Sequence, residues 1–548
     1  MSRHHLRTTV LTTALAAAWL ASPPAGACTN ILVTKGASAD GSTMITYACD
    51  GRFHPRLERK DAADHPEGSV HEIRSWSGEL RGTIPQVART HAVVGLMNEH
   101  QLAIAETTTT GREELENPDG LMHYWTLMEL ALERATTARE AIDVITTLVA
   151  EHGYRSTAES FAIADPEEVW LMEMIGTGPG GPGAVWVAMR VPDGFISAYA
   201  NAPRIRTFPL DDPESCRYSD NVISFAVERG YWDPASGEPF DFAAAYDAPT
   251  PQSRRYTATR VWSIFRRAAP GLALDPAFHR GDPEAEPYPL WIEPERKLTV
   301  SDVMALMRDH YEGTDYDMTK GLDAGPFGTP NRWRPMSWTV DGVEYSWERP
   351  ISTQQTGFSF VSQSRSWLPD PVGGVFWYGL DDTFTTVYVP LWAGVTRVPE
   401  AFAVGRLERF SWDSAWWVFN FVANLANLKY SYMIQDIQAV QGELEGRMLA
   451  LQPVIEQAAV TLAESDPGLM RELLTQHSLA QSEQVVRRWR ELGEQLLTKY
   501  NDGYVANGDD EASVEVGYPE SWLREVIRAR PDQFRLDQPE APVNELPY

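Results

Sequence analysis

Cysteine is scarce. Cys28, Cys49 and Cys216 are the only three in 548 residues, too few for a disulfide scaffold, and one thiol is left over whichever pair forms. Basic residues are also few, 47 Lys and Arg against 76 Asp and Glu, for a formal net charge of −29. Nucleic acid is therefore not expected as a partner, since phosphate is held by clustered Lys and Arg. No P-loop, His-Glu-x-x-His pair or Gly-x-Ser-x-Gly elbow occurs, which removes the usual support for nucleotide, zinc-peptidase and serine-hydrolase readings. Long apolar runs are missing too: Trp416 to Leu428 holds Asn420, Asn424 and Asn427, falls short of the roughly 20 residues that span a bilayer, and reads as a buried helix. What is plentiful is apolar and aromatic residue, 43% of the chain with 19 Trp, and that excludes a disordered polymer.

The chain opens with Arg3, His4, His5 and Arg7, an apolar run from Val10 to Ala21, and a small-residue stretch ending Ala25-Gly26-Ala27. This is the pattern of a secretory signal peptide over residues 1–27, with export as the expectation and Cys28 as the first mature residue. Its removal takes away Arg3 and Arg7 and no acid, moving the net charge from −29 to −31. The odd thiol then falls at the new amino terminus, with Cys49 and Cys216 left as buried apolar residues or a bridge.

Asn30 to Thr34 and Ser42 to Ala48, divided by a turn-rich segment, read as a β-hairpin, and Val93 to Met97 with Leu102 to Thr107 as a second. Phe161 to Ala164, Val169 to Ile175, Val185 to Met189 and Phe195 to Tyr199 read as an antiparallel meander. Leu121 to Val149 carries helical spacing and is predicted as one long helix. Further strands are expected at Gly357 to Val361, Val375 to Tyr378 and Thr385 to Val389, then mostly helix from Trp416 to about Tyr500 with a break at Asp466-Pro467-Gly468. Strands and helices in separate blocks indicate an α+β chain rather than alternating βαβ units. The expected organisation is a catalytic domain over 28–425, a helical lobe over 426–505 and a loose acidic, Pro-rich tail over 506–548.

The Gly176 to Gly183 loop lies between strands and contains two prolines, so it reads as a hairpin connection rather than a dinucleotide site. Asp315, Asp317 and Thr319 begin like a calcium loop, but Lys320 stands where the sharp turn needs glycine. No metal or cofactor is expected. Cys28 carries the chemistry: a free α-amine titrates near about 7.7–8.0 and can take the proton from its own thiol, so nucleophile and base occupy one residue. A thiol attached to lipid at the same position is the rival reading, with Ala25 a poor substitute for the Leu that usually precedes such a site.

The segment Cys28-Thr29-Asn30-Ile31-Leu32-Val33-Thr34-Lys35-Gly36-Ala37-Ser38-Ala39-Asp40-Gly41-Ser42-Thr43-Met44-Ile45 resembles the start of mature cysteine dipeptidases related to lactobacillar dipeptidase. Similarity continues through Asn98 to Gln101, Glu159 to Asp165, Asp309 to Thr314 and Gln354 to Ser359. The family is similar to N-terminal-nucleophile hydrolases such as penicillin V acylase and bile salt hydrolase, which implies a four-layer αββα core, here with an added helical lobe. The resemblance further implies that Asp50 holds the Cys28 amine, that Asn201 in Tyr199-Ala200-Asn201-Ala202-Pro203 helps bind the oxyanion, and that Arg260 favours thiolate. Tyr47 stands where the acylases have an Arg, and Thr108 falls near their second oxyanion residue, whose part would pass to its hydroxyl or a backbone N–H. The expected function is hydrolysis of dipeptides by an exported enzyme, with a small peptide as partner, no integral membrane segment after signal removal and self-association left open. An acylase or acyltransferase acting on a non-peptide amide and a lipid-anchored binding protein are the alternatives, and His100 is the fallback base.

Overall fold

A computed structural model describes residues 28–109, 111–181, 183–247, 250–506 and 514–535. Residues 1–27, read above as a signal peptide, lie outside them, as do 507–513 and 536–548 of the tail.

Two large antiparallel sheets organise the described residues. The first has seven strands in the order Trp291–Ile292, Ile196–Tyr199, Cys28–Val33, Met44–Asp50, Thr356–Gln363, Val375–Leu380 and Val389–Trp392. The second has eight, running Cys216–Tyr218, Ala184–Arg190, Val169–Gly176, Ala158–Ala164, Ala103–Thr109, Met97–Asn98, Val93–Val94 and Arg59–Lys60. The sheets pack through Cys28–Val33 and Met44–Asp50 against Ala103–Thr109. Helices Tyr124–Arg134 and Ala138–His152 cover the second sheet, while Pro251–Ala268 and Val300–Leu306 pack on the first. Being covered on both sides, Cys28–Val33, Ala158–Ala164 and Val169–Gly176 are buried at every residue, and this is why apolar residues follow one another in Ile31 to Val33, Phe161 to Ala164 and Val169 to Met172 instead of alternating.

The structure departs from the sequence reading at four points. The predicted long helix is two, because Thr137 caps a fresh start by accepting from the Glu140 backbone N–H. The last strand of the expected meander, Ile196–Tyr199, leaves the second sheet and pairs with Cys28–Val33 in the first. Its crossing is tied down by the Asp193-Gly194 turn: Asp193 Oδ1 accepts from Gly36 N at 2.6 Å and Gly194 N donates to Thr34 Oγ1 at 3.0 Å. Thr385 to Tyr388 precedes the strand, which starts at Val389. The tail contains an exposed helix, Glu520–Ala529, which begins directly after Pro519.

The crossing positions the site. With Asn30 opposite Tyr199 in antiparallel register, Asn201 arrives beside Cys28, and on the other edge Cys28 pairs with Cys49.

Helices Ala415–Ala426, Tyr430–Ala463 and Pro467–Lys499 form a block against Val389–Trp392. Two bidentate ion pairs fasten it, the buried Arg365 to Glu456 at 2.6 and 2.7 Å and the half-buried Arg308 to Glu445 at 2.5 and 3.0 Å. Trp392 Nε1 also donates to Glu456 Oε1 at 3.2 Å, and Trp489 stacks on Phe419. No helix among the described residues is long and apolar enough to cross a membrane.

Candidate active site

Cys28 opens the central strand of the first sheet and is buried. Its backbone nitrogen donates to Asn201 Oδ1 at 3.0 Å. Asn201 has φ 60°, the left-handed region that Asn tolerates better than most residues, and its Nδ2 donates to Thr108 O at 2.7 Å. Its side chain therefore bridges the two sheets instead of capping its own turn. The turn that follows is held by Glu173, which accepts from Arg204 N at 2.5 Å and Ile205 N at 3.1 Å and whose carboxyl burial pushes up to about 8.

Arg260 is fully buried in the long helix Pro251–Ala268. Its guanidinium donates to Cys28 O at 2.6 Å, Thr29 Oγ1 at 2.9 Å, Ala200 O at 3.2 Å and Asn201 Oδ1 at 2.9 Å. Arg260 thus orients the backbone of Cys28 and the carboxamide of Asn201, and its hydrogen bonds go to oxygens, none to sulfur. The thiol is in fact held well above its ordinary value, first by a hydrogen bond with Cys49, then by burial and by the negative charge of Glu106. Cys28 thus rests as a thiol and needs a base to become a nucleophile.

Asp50 also differs from its expected role. Its carboxyl pairs with Arg349 Nη2 at 2.5 Å and accepts from Thr356 Oγ1 at 2.6 Å, while the Cys28 nitrogen is held by Asn201. Asp50 thereby locks the end of its strand to the approach of Thr356–Gln363. Burial outweighs the attraction of Arg349 and raises the carboxyl from the ordinary 3.8 to about 6. The native state then holds the proton more tightly than the unfolded chain, so this group's contribution to stability is full below pH 4 and lost as the pH rises through 6, a change of about 3 kcal/mol. Asp50→Asn removes the titration. In urea unfolding, the stability difference between wild type and variant should move by about 3 kcal/mol toward the wild type from pH 7 to pH 4; a pH-independent difference would show that burial is not acting on this carboxyl.

Thr108 points its hydroxyl at Glu106 Oε2, 3.5 Å away, and its carbonyl at Asn201. It orients neighbours, and the expected hydroxyl contribution to an oxyanion is not what this geometry offers. His100 is engaged with His91 at 3.1 Å and Asp370 at 3.5 Å, and no histidine is hydrogen-bonded to Cys28 among the described residues.

Sequence reasoning gave no role to Glu106, Glu159 or Arg349. Glu106 Oε1 is 3.6 Å from Cys28 Sγ and accepts from the Tyr47 hydroxyl, which itself lies 3.8 Å from Cys28 Sγ and 3.2 Å from Cys49 Sγ. An acid amid Ala103-Ile104-Ala105 was the available signal. Cys49 and Cys216 are free thiols, Cys49 half-buried and Cys216 buried with its thiol pushed up to about 12.

A cleft of about 800 Å³ reaches this centre, floored by Cys49 and walled by Phe53, Trp76, Tyr124, Trp125 and Phe358. Gly95 turns its lining with φ 55°, where a Cβ would strike the Phe376 ring at 2.4 Å. A cleft of this size with aromatic walls suits a small molecule with an apolar body.

Residues 27–87 and 64–443 match the sequence pattern of Peptidase family C69. The chain belongs to that family and is a hydrolase of the peptidase class. It is 27% identical to a probable dipeptidase of Salmonella dublin over 392 residues, 67% of this chain and 81% of that one. It is 25% identical to a probable dipeptidase of Latilactobacillus sakei, covering 74% and 82%, and 24% identical to dipeptidase A of Lactobacillus helveticus, covering 76% and 84%.

Proposed function

We propose that this peptidase is an exported dipeptidase, and that its fold is a four-layer αββα core of the N-terminal-nucleophile type. Cys28 is the nucleophile and its own α-amine, exposed by removal of residues 1–27, is the base. The observation that carries this reading is the placement of Cys28 at the head of a buried strand, its nitrogen on Asn201 and its sulfur 3.8 Å from the Tyr47 hydroxyl, which also meets Cys49 of the cleft lining.

The thiol proton passes to the amine as sulfur bonds to the scissile carbonyl carbon. The C–N bond then breaks and the leaving amine takes that proton. Water adds to the thioester, the C–S bond breaks and the thiol is restored. Asn201 is the side chain assigned to the developing oxyanion. Arg260 and Thr108 fix its orientation, and Asp50 with Arg349 secures the neighbouring strand end. The dipeptidase names of the relatives support the substrate class.

The test is a panel of dipeptides, acyl-amino acids and penicillin-type amides offered to residues 28–548, with and without a thiol alkylator. Dipeptides should be cleaved, and activity should fall in step with alkylation of Cys28 measured by mass. Cleavage of acyl amides with dipeptides untouched would replace the proposal by an acylase, and a lipid mass on Cys28 in the exported protein would replace it by an anchor.

A further inference from the structure

Two carboxyls beside the nucleophile lack a cation. Glu106 and Glu159 lie on adjacent strands of the second sheet, where Thr108 pairs with Glu159 and Glu106 with Phe161, so all four share one face. Each Glu is 1% exposed. The partners of Glu106 are Tyr47, Thr108, Cys28 and the carboxyl of Glu159 itself, none of them a cation, and neither oxygen of Glu159 has a partner of ordinary geometry. Among the described residues neither makes an ion pair. Burial raises both carboxyls, and for Glu159 the charge of Glu106 adds to it. The resting pair thus keeps a proton, with the negative charge on Glu106, the member that the hydroxyls and the thiol bond. A buried acid pair of this kind is costly unless something positive meets it.

We infer that Glu106 and Glu159 form the subsite for the α-ammonium group of the substrate and so direct hydrolysis to the bond next to a free amino terminus. The inference rests on Cys28 being the nucleophile. In any aminoacyl group the amino nitrogen lies about 2.5 Å from the carbonyl carbon, two bonds away. When Cys28 Sγ meets that carbon, rotation about the new bond brings the ammonium within hydrogen-bond reach of an oxygen standing 3.6 Å from the sulfur, and Glu106 Oε1 is that oxygen. One ammonium neutralises the single negative charge of the pair, and Glu159 offers further acceptors to its remaining hydrogens. An amide nitrogen, as in an N-acylated or longer substrate, brings one hydrogen, no charge and an acyl group into a walled corner. The corner adjoins the cleft: Tyr47 links Glu106 to Cys49 of the cleft lining, and the Tyr124 wall is close enough that burial and both glutamates hold its phenol up.

The experiment has two arms, each run on residues 28–548 as wild type, Glu159→Gln and Glu106→Gln. In the first, kcat/KM is measured for alanyl-alanine and its N-acetyl form; the wild type should prefer the free amine by at least about 100-fold, and the ratio should fall below about 10 in Glu159→Gln. In the second, alkylation of Cys28 by iodoacetamide is followed by mass with alaninamide or N-acetylalaninamide present, at a pH where the former is protonated. Alaninamide alone should protect, and Glu159→Gln should remove the protection. Because alkylation requires no turnover, failure to cleave either peptide would sink the proposed activity while the second arm still decides on the subsite. Equal protection by both amides, protection by neither, or discrimination unchanged in both variants would overturn it. Should a variant not fold, the wild-type comparison of the two amides decides alone.

Discussion

Cys28→Ala is expected to lower kcat/KM on dipeptides by on the order of 10⁴-fold or more while the protein stays folded. In the proposed mechanism the reaction has no other route, since the bond-forming atom is lost and the remaining groups near it only orient or bind. The fold should tolerate the change because a single atom is removed. The Tyr47 hydroxyl keeps its bond to Glu106, and the small void costs about 1 kcal/mol. Cys49→Ser, which alters the cleft floor but not the attacking atom, should remain within about tenfold of wild type. Cys216→Ser, at the edge of the second sheet, should retain its chemistry and lose about 1–2 kcal/mol of stability from burying a hydroxyl. A folded Cys49→Ser or Cys216→Ser variant without activity would mean that the nucleophile is the wrong thiol.

How far the sequence carries depends on the range of the forces involved. The hairpin of Cys28 was legible because its apolar residues and turn are local, and Asn201 because its segment resembles a known one. The helix break was legible in principle: Thr137 and Glu140 have capping-box spacing, but the apolar period on either side masked it. Glu106 was not legible, because an acid in a strand ordinarily faces water, and only the stacking of one sheet on the other buries this one. Arg349 reaches Asp50 from 299 positions along the chain, a distance over which neither periodicity nor propensity carries information. The roles assigned to Asp50 and Arg260 shifted for the same reason: the residues were found by resemblance, and their partners were set by tertiary packing.

The second large effect concerns the amine. Cys28 rests as a thiol, raised by its hydrogen bond with Cys49, by burial and by Glu106, and no histidine is hydrogen-bonded to it among the described residues. A base must lie within reach of the sulfur; in the proposed mechanism the α-amine of Cys28 is that base, its nitrogen being the atom that donates to Asn201 Oδ1 at 3.0 Å. Chains that keep residues ahead of Cys28 present an amide there, which cannot accept the proton. Such chains should fold normally and hydrolyse dipeptides at least about 10³-fold more slowly. The direct measurement is to produce residues 28–548 behind a short removable leader and to assay dipeptide hydrolysis before and after its cleavage. Activity should appear only on cleavage, and its rate should rise with pH through the titration of the amine, near about 8, because only the neutral amine accepts a proton. Equal rates before and after cleavage would contradict the account and require a separate base.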